Sequence, residues 1–224
     1  KQTNLGEFLR VALSLTNSVE KLHQLQIVHR HLTSENILIN HQQEVTLIDF
    51  SLARKNHQGS QDSNDFTKLE TAVAYISPEQ TGRIDRWVDE RSDLYSLGVI
   101  FYELLTGQLP FTGDDTLELV HAHIAQTPVA PRAVSDVPPV LSEIVLKLLK
   151  KSVDDRYQSC FGLKHDLEQC LKQWEARKKI SMFPLAENDF SGKFQLPQTL
   201  YGREKETAQL LRLFERACTG PTQL

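Results

Sequence analysis

The chain has 224 residues, 40% hydrophobic and 24% charged, a balance ordinary for a globular protein and enough for one large domain or a domain plus part of another. A formal charge of -4 excludes the strongly basic surface that nucleic acid or an anionic membrane calls for, and no apolar run nears the ~20 residues of a membrane helix. No signal-peptide pattern opens the chain, and the three cysteines, Cys160, Cys170 and Cys218, lack C-x-x-C spacing, which fits reduced thiols in the cytoplasm.

Taken in order, the first element is a helix from Leu5 to about Gln26, with Leu5, Phe8, Leu9, Ala12, Leu13, Val19 and Leu22 at helical spacing. After the stretch Ile27 to Asn36, the short β-branched runs Ile37-Leu38-Ile39 and Val45-Thr46-Leu47-Ile48 flank a polar turn at His41-Gln42-Gln43 and predict a small hairpin. Asp49-Phe50-Ser51 follows, and then a polar loop from Lys55 to Asp65. Ser92 to Thr106 is apolar on most sides and predicts a buried helix, with Asp93 near its start able to accept backbone amides and Gly107 ending it. Asp115 to Glu118 has capping-box spacing for a helix from Thr116 to Gln126. Pro138-Pro139 opens another helix, and Leu163, Leu167, Leu171 and Trp174 line a third. From Glu175 to Leu200 the periodicity fades into a linker, before a new amphipathic helix that carries Leu210, Leu211, Leu213 and Phe214. The fold class is therefore mainly α, or α+β overall, with the helices arranged around a buried central one beside a small hairpin. No internal repeat is present.

The chemistry concentrates in Ile27-Val28-His29-Arg30-His31-Leu32-Thr33-Ser34-Glu35-Asn36. His29, Arg30, Leu32 and Asn36 match H-R-D-L-x-x-x-N, the catalytic loop of protein kinases, and His31 stands where the aspartate should be. Asp49-Phe50-Ser51 is similar to D-F-G, and Ser77-Pro78-Glu79 to A-P-E, in the same order and at kinase spacing. The span from Leu5 to Trp174 thus resembles the C-terminal lobe of a serine/threonine protein kinase. The resemblance implies ATP and magnesium as cofactors in the full-length parent, with Asn36 and Asp49 as the metal ligands. It further implies structural roles for His29, for Arg30, for Asp93 as the holder of the catalytic-loop backbone, and for a buried Glu79–Arg156 pair.

Tyr75 to Arg83 and Tyr95 to Gly107 look closer still to bacterial hybrid kinases, in which a kinase-like domain precedes an AAA-type ATPase domain and a histidine kinase. The implied layout is a kinase-like lobe over residues 1–175, a linker over 176–200, and the first helix of an ATPase-type domain over 201–224, since Leu200-Tyr201-Gly202-Arg203-Glu204 resembles the opening of that domain. The N-terminal lobe is absent: neither a G-x-G-x-x-G loop nor a V-A-I-K lysine occurs. Lys1 at the start and Met182 as the sole methionine fit a piece of a longer product. The expected partners are that missing lobe, the downstream ATPase and histidine kinase domains, and a protein substrate. Tight ATP binding is not expected of this chain alone.

Several departures fall on the catalytic cluster together. His31 replaces the aspartate, Thr33 the usual lysine, and Ala72 a threonine, although Thr71 is adjacent; Ser51 replaces the glycine of D-F-G. Loss of a general base typically lowers rate ~10²–10⁴-fold. Imidazole reaches farther than a carboxylate and brings no negative charge to orient a hydroxyl. An impaired kinase, or a non-enzymatic scaffold, is the expected outcome. Ser60, Ser63 and Thr67 in the polar loop are candidate phosphosites. The charge-rich stretch Arg83 to Arg91 is either a solvated loop or a docking surface. Two H-x-H pairs, His29/His31 and His121/His123, have no third ligand at zinc spacing, and the second straddles two helix faces. Trp87 and Trp174 read as packing or surface anchors, and Cys160 and Cys170 as small buried hydrophobes.

Overall fold

The computed structural model describes residues 4–55, 70–84 and 86–190. Helix α1 (Leu5–Gln24) is capped by Asn4, whose side-chain oxygen accepts the Gly6 N–H at 3.0 Å. Its inner face buries Phe8, Leu9, Ala12, Leu15 and Val19, and the helix is over before Gln26 takes a φ of 59°. Strand β1 (Ile27–Val28) follows, then the hairpin of β2 (Ile37–Ile39) and β3 (Val45–Leu47), with Ile37 opposite Leu47. Strand β4 (Arg54–Lys55) returns to pair antiparallel with β1. This second pairing was not legible in the sequence, because two-residue strands carry no period. It closes the segment that holds His31, Asn36 and Asp49 at both ends.

Helix α2 (Glu90–Thr106) is the centre of the fold: every residue from Ser92 to Tyr102 is buried. It begins two residues earlier than its periodicity implied. Asp89 caps it by accepting the Arg91 N–H at 2.9 Å, so Asp93 is free to serve another backbone. Gly107, at φ 73°, ends it. Helices α1 and α5 (Pro139–Leu148) pack on α2, and α6 (Cys160–Arg177) lies along α1. Helix α3 (Thr116–Ala125) covers two 3-10 turns, Glu70–Tyr75 and Pro78–Thr81. Asp115 caps α3 through the Glu118 N–H at 2.8 Å, while Glu118 Oε2 reaches the Asp114 N–H, one residue before the position a reciprocal capping box uses. The single turn α4 (Pro131–Val134) is too short to show periodicity.

One hydrophobic cluster joins α1, α2, α5 and α6, and a smaller one gathers Leu52, Ala72, Val73, Ile76 and Val120. Helix α6 runs on to Arg177, and the stretch to Phe190 belongs to the same compact unit. Ile180 is buried, and Asp189 accepts the Gln158 N–H at 2.6 Å and the Ser159 hydroxyl at 2.7 Å. The first part of the segment read as a linker is therefore anchored. The expected helix after Tyr201, Cys218 and the phosphosite loop lie outside the described residues. Among the described residues no helix is long and apolar enough to cross a membrane.

Candidate active site around His31

Arg30 and Asp49 are non-glycine residues with φ of 66° and 58°, a conformation that neighbouring contacts must hold. For Arg30 the holder is Asp93. Its two carboxylate oxygens accept the His29 N–H at 2.9 Å and the Arg30 N–H at 2.8 Å. Gln80 Nε2 donates to the Arg30 carbonyl at 2.7 Å, and Gln80 Oε1 accepts the Ser77 N–H. His23, at the end of α1, sits 2.9 Å from Asp93 Oδ2 and 3.5 Å from Cys160 Sγ. Burial pulls the His23 pKa down, but its hydrogen bonds with Asp93 and Cys160 outweigh that and push it up to about 10. A cation thus backs the carboxylate that fixes the loop.

On this support the candidate residues come together. His29 is fully buried; its Nδ1 accepts the His31 N–H at 3.3 Å, its ring lies 4.8 Å from that of Phe50, and burial lowers its pKa. His31 Nδ1 lies 3.0 Å from Asp49 Oδ2, off the direction of a ring N–H, so no directed hydrogen bond joins them. Asn36 Nδ2 donates to the His31 carbonyl at 3.0 Å, and the Asn36 carbonyl accepts the Ile48 N–H at 3.1 Å. Asp49 Oδ1 accepts the Ser51 N–H at 3.2 Å; hydrogen bonds from the Ser51 side chain and backbone hold this carboxyl below its usual range. Thr33 is buried, and its hydroxyl caps the turn Ser34–Asn36 by accepting the Asn36 N–H at 3.3 Å. A local cap therefore occupies the position where the resemblance has a phosphate-binding lysine.

The buried pair beside the site is bidentate: Arg156 Nη1 and Nη2 meet Glu79 Oε1 and Oε2 at 2.7 and 2.8 Å. Ser92 Oγ donates to Glu79 at 2.7 Å, and Arg156 also donates to the Lys150, Lys151 and Arg91 carbonyls. Opening such a pair from one side costs ~3–5 kcal/mol. In the stretch Arg83 to Arg91, Arg91 is held by Asp89, Asp154 and Gln158, while Trp87 is 65% exposed. His121 is exposed and His123 buried, on different faces of α3, and no three His, Cys, Asp or Glu side chains among the described residues converge as a metal cluster. The sequence reading missed His23 and Gln80. The Ser77-x-x-Gln80 spacing is a capping signal that could have found Gln80; a lone histidine at a helix end offers none.

The protein kinase domain family matches residues 4–169. The chain belongs to the protein kinase family. It is 41% identical over 180 residues to hybrid signal transduction histidine kinase G of Dictyostelium discoideum, covering 70% of this chain and 5% of that protein. It is 38% identical over 146 residues to the serine/threonine-protein kinase PknB of Mycolicibacterium smegmatis, covering 65% of this chain and 23% of that one. With the peroxide stress-activated histidine kinase mak3 of Schizosaccharomyces pombe it shares 28% identity over 222 residues, 96% of this chain and 9% of that protein. This kinase-family chain therefore spans less than a quarter of each of these three relatives. Kinase chemistry calls for magnesium held by oxygen donors. The Asp49 carboxylate, beside His31, fits that need, as does the Asn36 carboxamide, whose Nδ2 is committed to the His31 carbonyl, so that Oδ1 would be its donor.

Proposed function

We propose that this chain is the helical, C-terminal lobe of a serine/threonine protein kinase domain whose phosphoryl transfer is impaired by His31. The reading rests on one observation: Asn36 and Asp49 both contact His31, on a loop anchored by Asp93. In the two-lobed parent, Asn36 and Asp49 would hold the magnesium ion, which would neutralise charge on the phosphates of ATP. His31 takes the position that orients the substrate hydroxyl, without a carboxylate to do so. Thr33 supplies no cation for the transferred phosphate. The parent is a cytoplasmic hybrid in which the kinase-like lobe, with the segment to Phe190 packed onto it, precedes an ATPase-type domain that 201–224 open ahead of a histidine kinase. The similarity to two hybrid or histidine kinases supports that layout.

A phosphotransfer assay on the two-lobed parent, with and without His31→Asp, tests the reading. The His31→Asp protein should be faster by ~10²-fold or more. Robust transfer by the unmodified parent would remove the claim of impairment. The second reading is a scaffold that relays signals to the ATPase and histidine kinase without chemistry, favoured by the Thr33 hydroxyl being spent on a backbone cap. Magnesium-dependent ATP binding by the parent supports the first reading, and none at millimolar ATP supports the second.

A further inference from the structure

His31 Nδ1 is buried and makes no directed hydrogen bond among the described residues, yet it stands 3.0 Å from Asp49 Oδ2. A lone pair and a carboxylate oxygen at that separation need a cation between them. A proton on Nδ1 meets the need poorly, because the carboxylate lies off the line along which the ring N–H would point. A metal ion meets it well. Two neighbouring donors, each ~2.1 Å from an octahedral ion, stand about 3.0 Å apart, and the line joining them runs oblique to both lone pairs. The pair is also held in place from behind. The His31 N–H is fixed by His29 Nδ1, its carbonyl by Asn36 Nδ2, and Asp49 by the Ser51 N–H.

We propose that His31 is a metal ligand, and that His31 and Asp49 together take a first-row transition ion, from Mn2+ to Zn2+, in preference to Mg2+ and without nucleotide. The inference rests on the reading of Asp49 as a metal-facing residue and goes beyond it in the identity of the ion. Imidazole nitrogen is a borderline donor that suits these ions, whereas Mg2+ favours oxygen and sheds water reluctantly. An imidazole at this position therefore adds a nitrogen donor beside the Asp49 oxygen. Water oxygens complete the sphere.

The test is Mn2+ titration of the 224-residue chain by electron paramagnetic resonance, with Mg2+ as competitor, for the unmodified chain and for His31→Ala, His31→Asp and Asp49→Asn. The unmodified chain should bind Mn2+, and its spin-echo spectrum should carry the modulation of a coordinated histidine nitrogen, a readout that needs no variant. Both His31→Ala and Asp49→Asn should weaken Mn2+ at least tenfold. His31→Asp, an all-oxygen site, should lower the Mn2+ over Mg2+ preference at least tenfold. Circular dichroism establishes that each variant is folded. Bound Mn2+ without nitrogen modulation, lost in Asp49→Asn but kept in His31→Ala, would overturn the role of His31 and leave Asp49 as a metal ligand. Binding unchanged in both variants would overturn both roles. No Mn2+ binding at millimolar concentration would also overturn the inference, while the separate assay of nucleotide binding by the parent decides the kinase reading.

Discussion

His123 is fully buried, its Nδ1 3.0 Å from the Tyr95 hydroxyl and its ring edge-on to Phe111. Burial, and then the charge of Lys151, pull its pKa down to about 3. An unfolded histidine titrates near ~6.5, so between those values the unfolded state binds the proton that the folded state refuses. Stability should therefore fall as pH drops below about 6.5, by up to ~1.4 kcal/mol per pH unit, and the loss should continue until pH nears the folded value. Urea denaturation midpoints across that range check this, and His123→Asn should flatten the slope. His23 works in the opposite sense. With its folded pKa raised to about 10, its contribution is complete below the unfolded value and fades as pH rises toward 10. At this scale the types of the candidate site residues were legible, because a short motif fixes which residue stands where. The contact of His31 with Asp49 was not, since the direction of an imidazole depends on what packs around it.

Among the elements, α2 shows how far periodicity reaches. Its apolar character on most sides pointed to burial, and Gly107 marked its end. Its start was misplaced because Asp89 and Asp93 both suit an N-terminus, and only the tertiary partners separate the cap from the residue that holds His29 and Arg30. Gly98 marks a close approach of this helix to another. A Cβ there would lie 2.7 Å from Leu148 Cβ and 3.2 Å from Leu149 Cδ2 on the neighbouring α5 and its cap. Gly98→Ala should therefore destabilise the fold by ~1–3 kcal/mol, although alanine is the better helix former. Chemical denaturation with an unchanged m-value is the check; a neutral or stabilising result would mean that α2 and α5 can separate without loss. The pairing of β1 with β4 and the turn α4 were too short to leave a pattern.

At the scale of the whole domain, the described stretch after α6, from Lys178 to Phe190, is built into the same compact unit. Asp189 accepts from Gln158 and Ser159 at the start of α6, and the Ala186 N–H donates to Asp166 Oδ2, which also takes the Tyr157 hydroxyl. Gln158 in turn bonds the Arg156 carbonyl and receives Arg91, so the returning segment touches the surroundings of the Glu79–Arg156 pair. Asp189→Ala should remove ~1–3 kcal/mol, since an amide and a hydroxyl lose their acceptor near a helix N-terminus. A fall in Tm with faster hydrogen exchange at the Gln158 amide checks it; an unchanged exchange rate would show the segment to be a passive tail. Loss of helical periodicity after Glu175 marked the end of a helix, and it could not distinguish a solvated linker from an irregular segment that packs.

The amino-acid order alone determined which stretches become helix or hairpin, and placed the kinase-like residue types at His29, Arg30, Asn36 and Asp49. Both follow from local rules, a repeat of 3.6 or 2 residues and short fixed spacings. Tertiary structure alone decided that His23 backs Asp93, that Gln80 braces Arg30, that His31 turns onto Asp49, and that residues up to Asp189 fold back onto α6. Except for the His31–Asp49 contact, these pair residues at least thirty positions apart. In every case the geometry is set by how helices and loops pack around one core, and no local pattern in the chain records it.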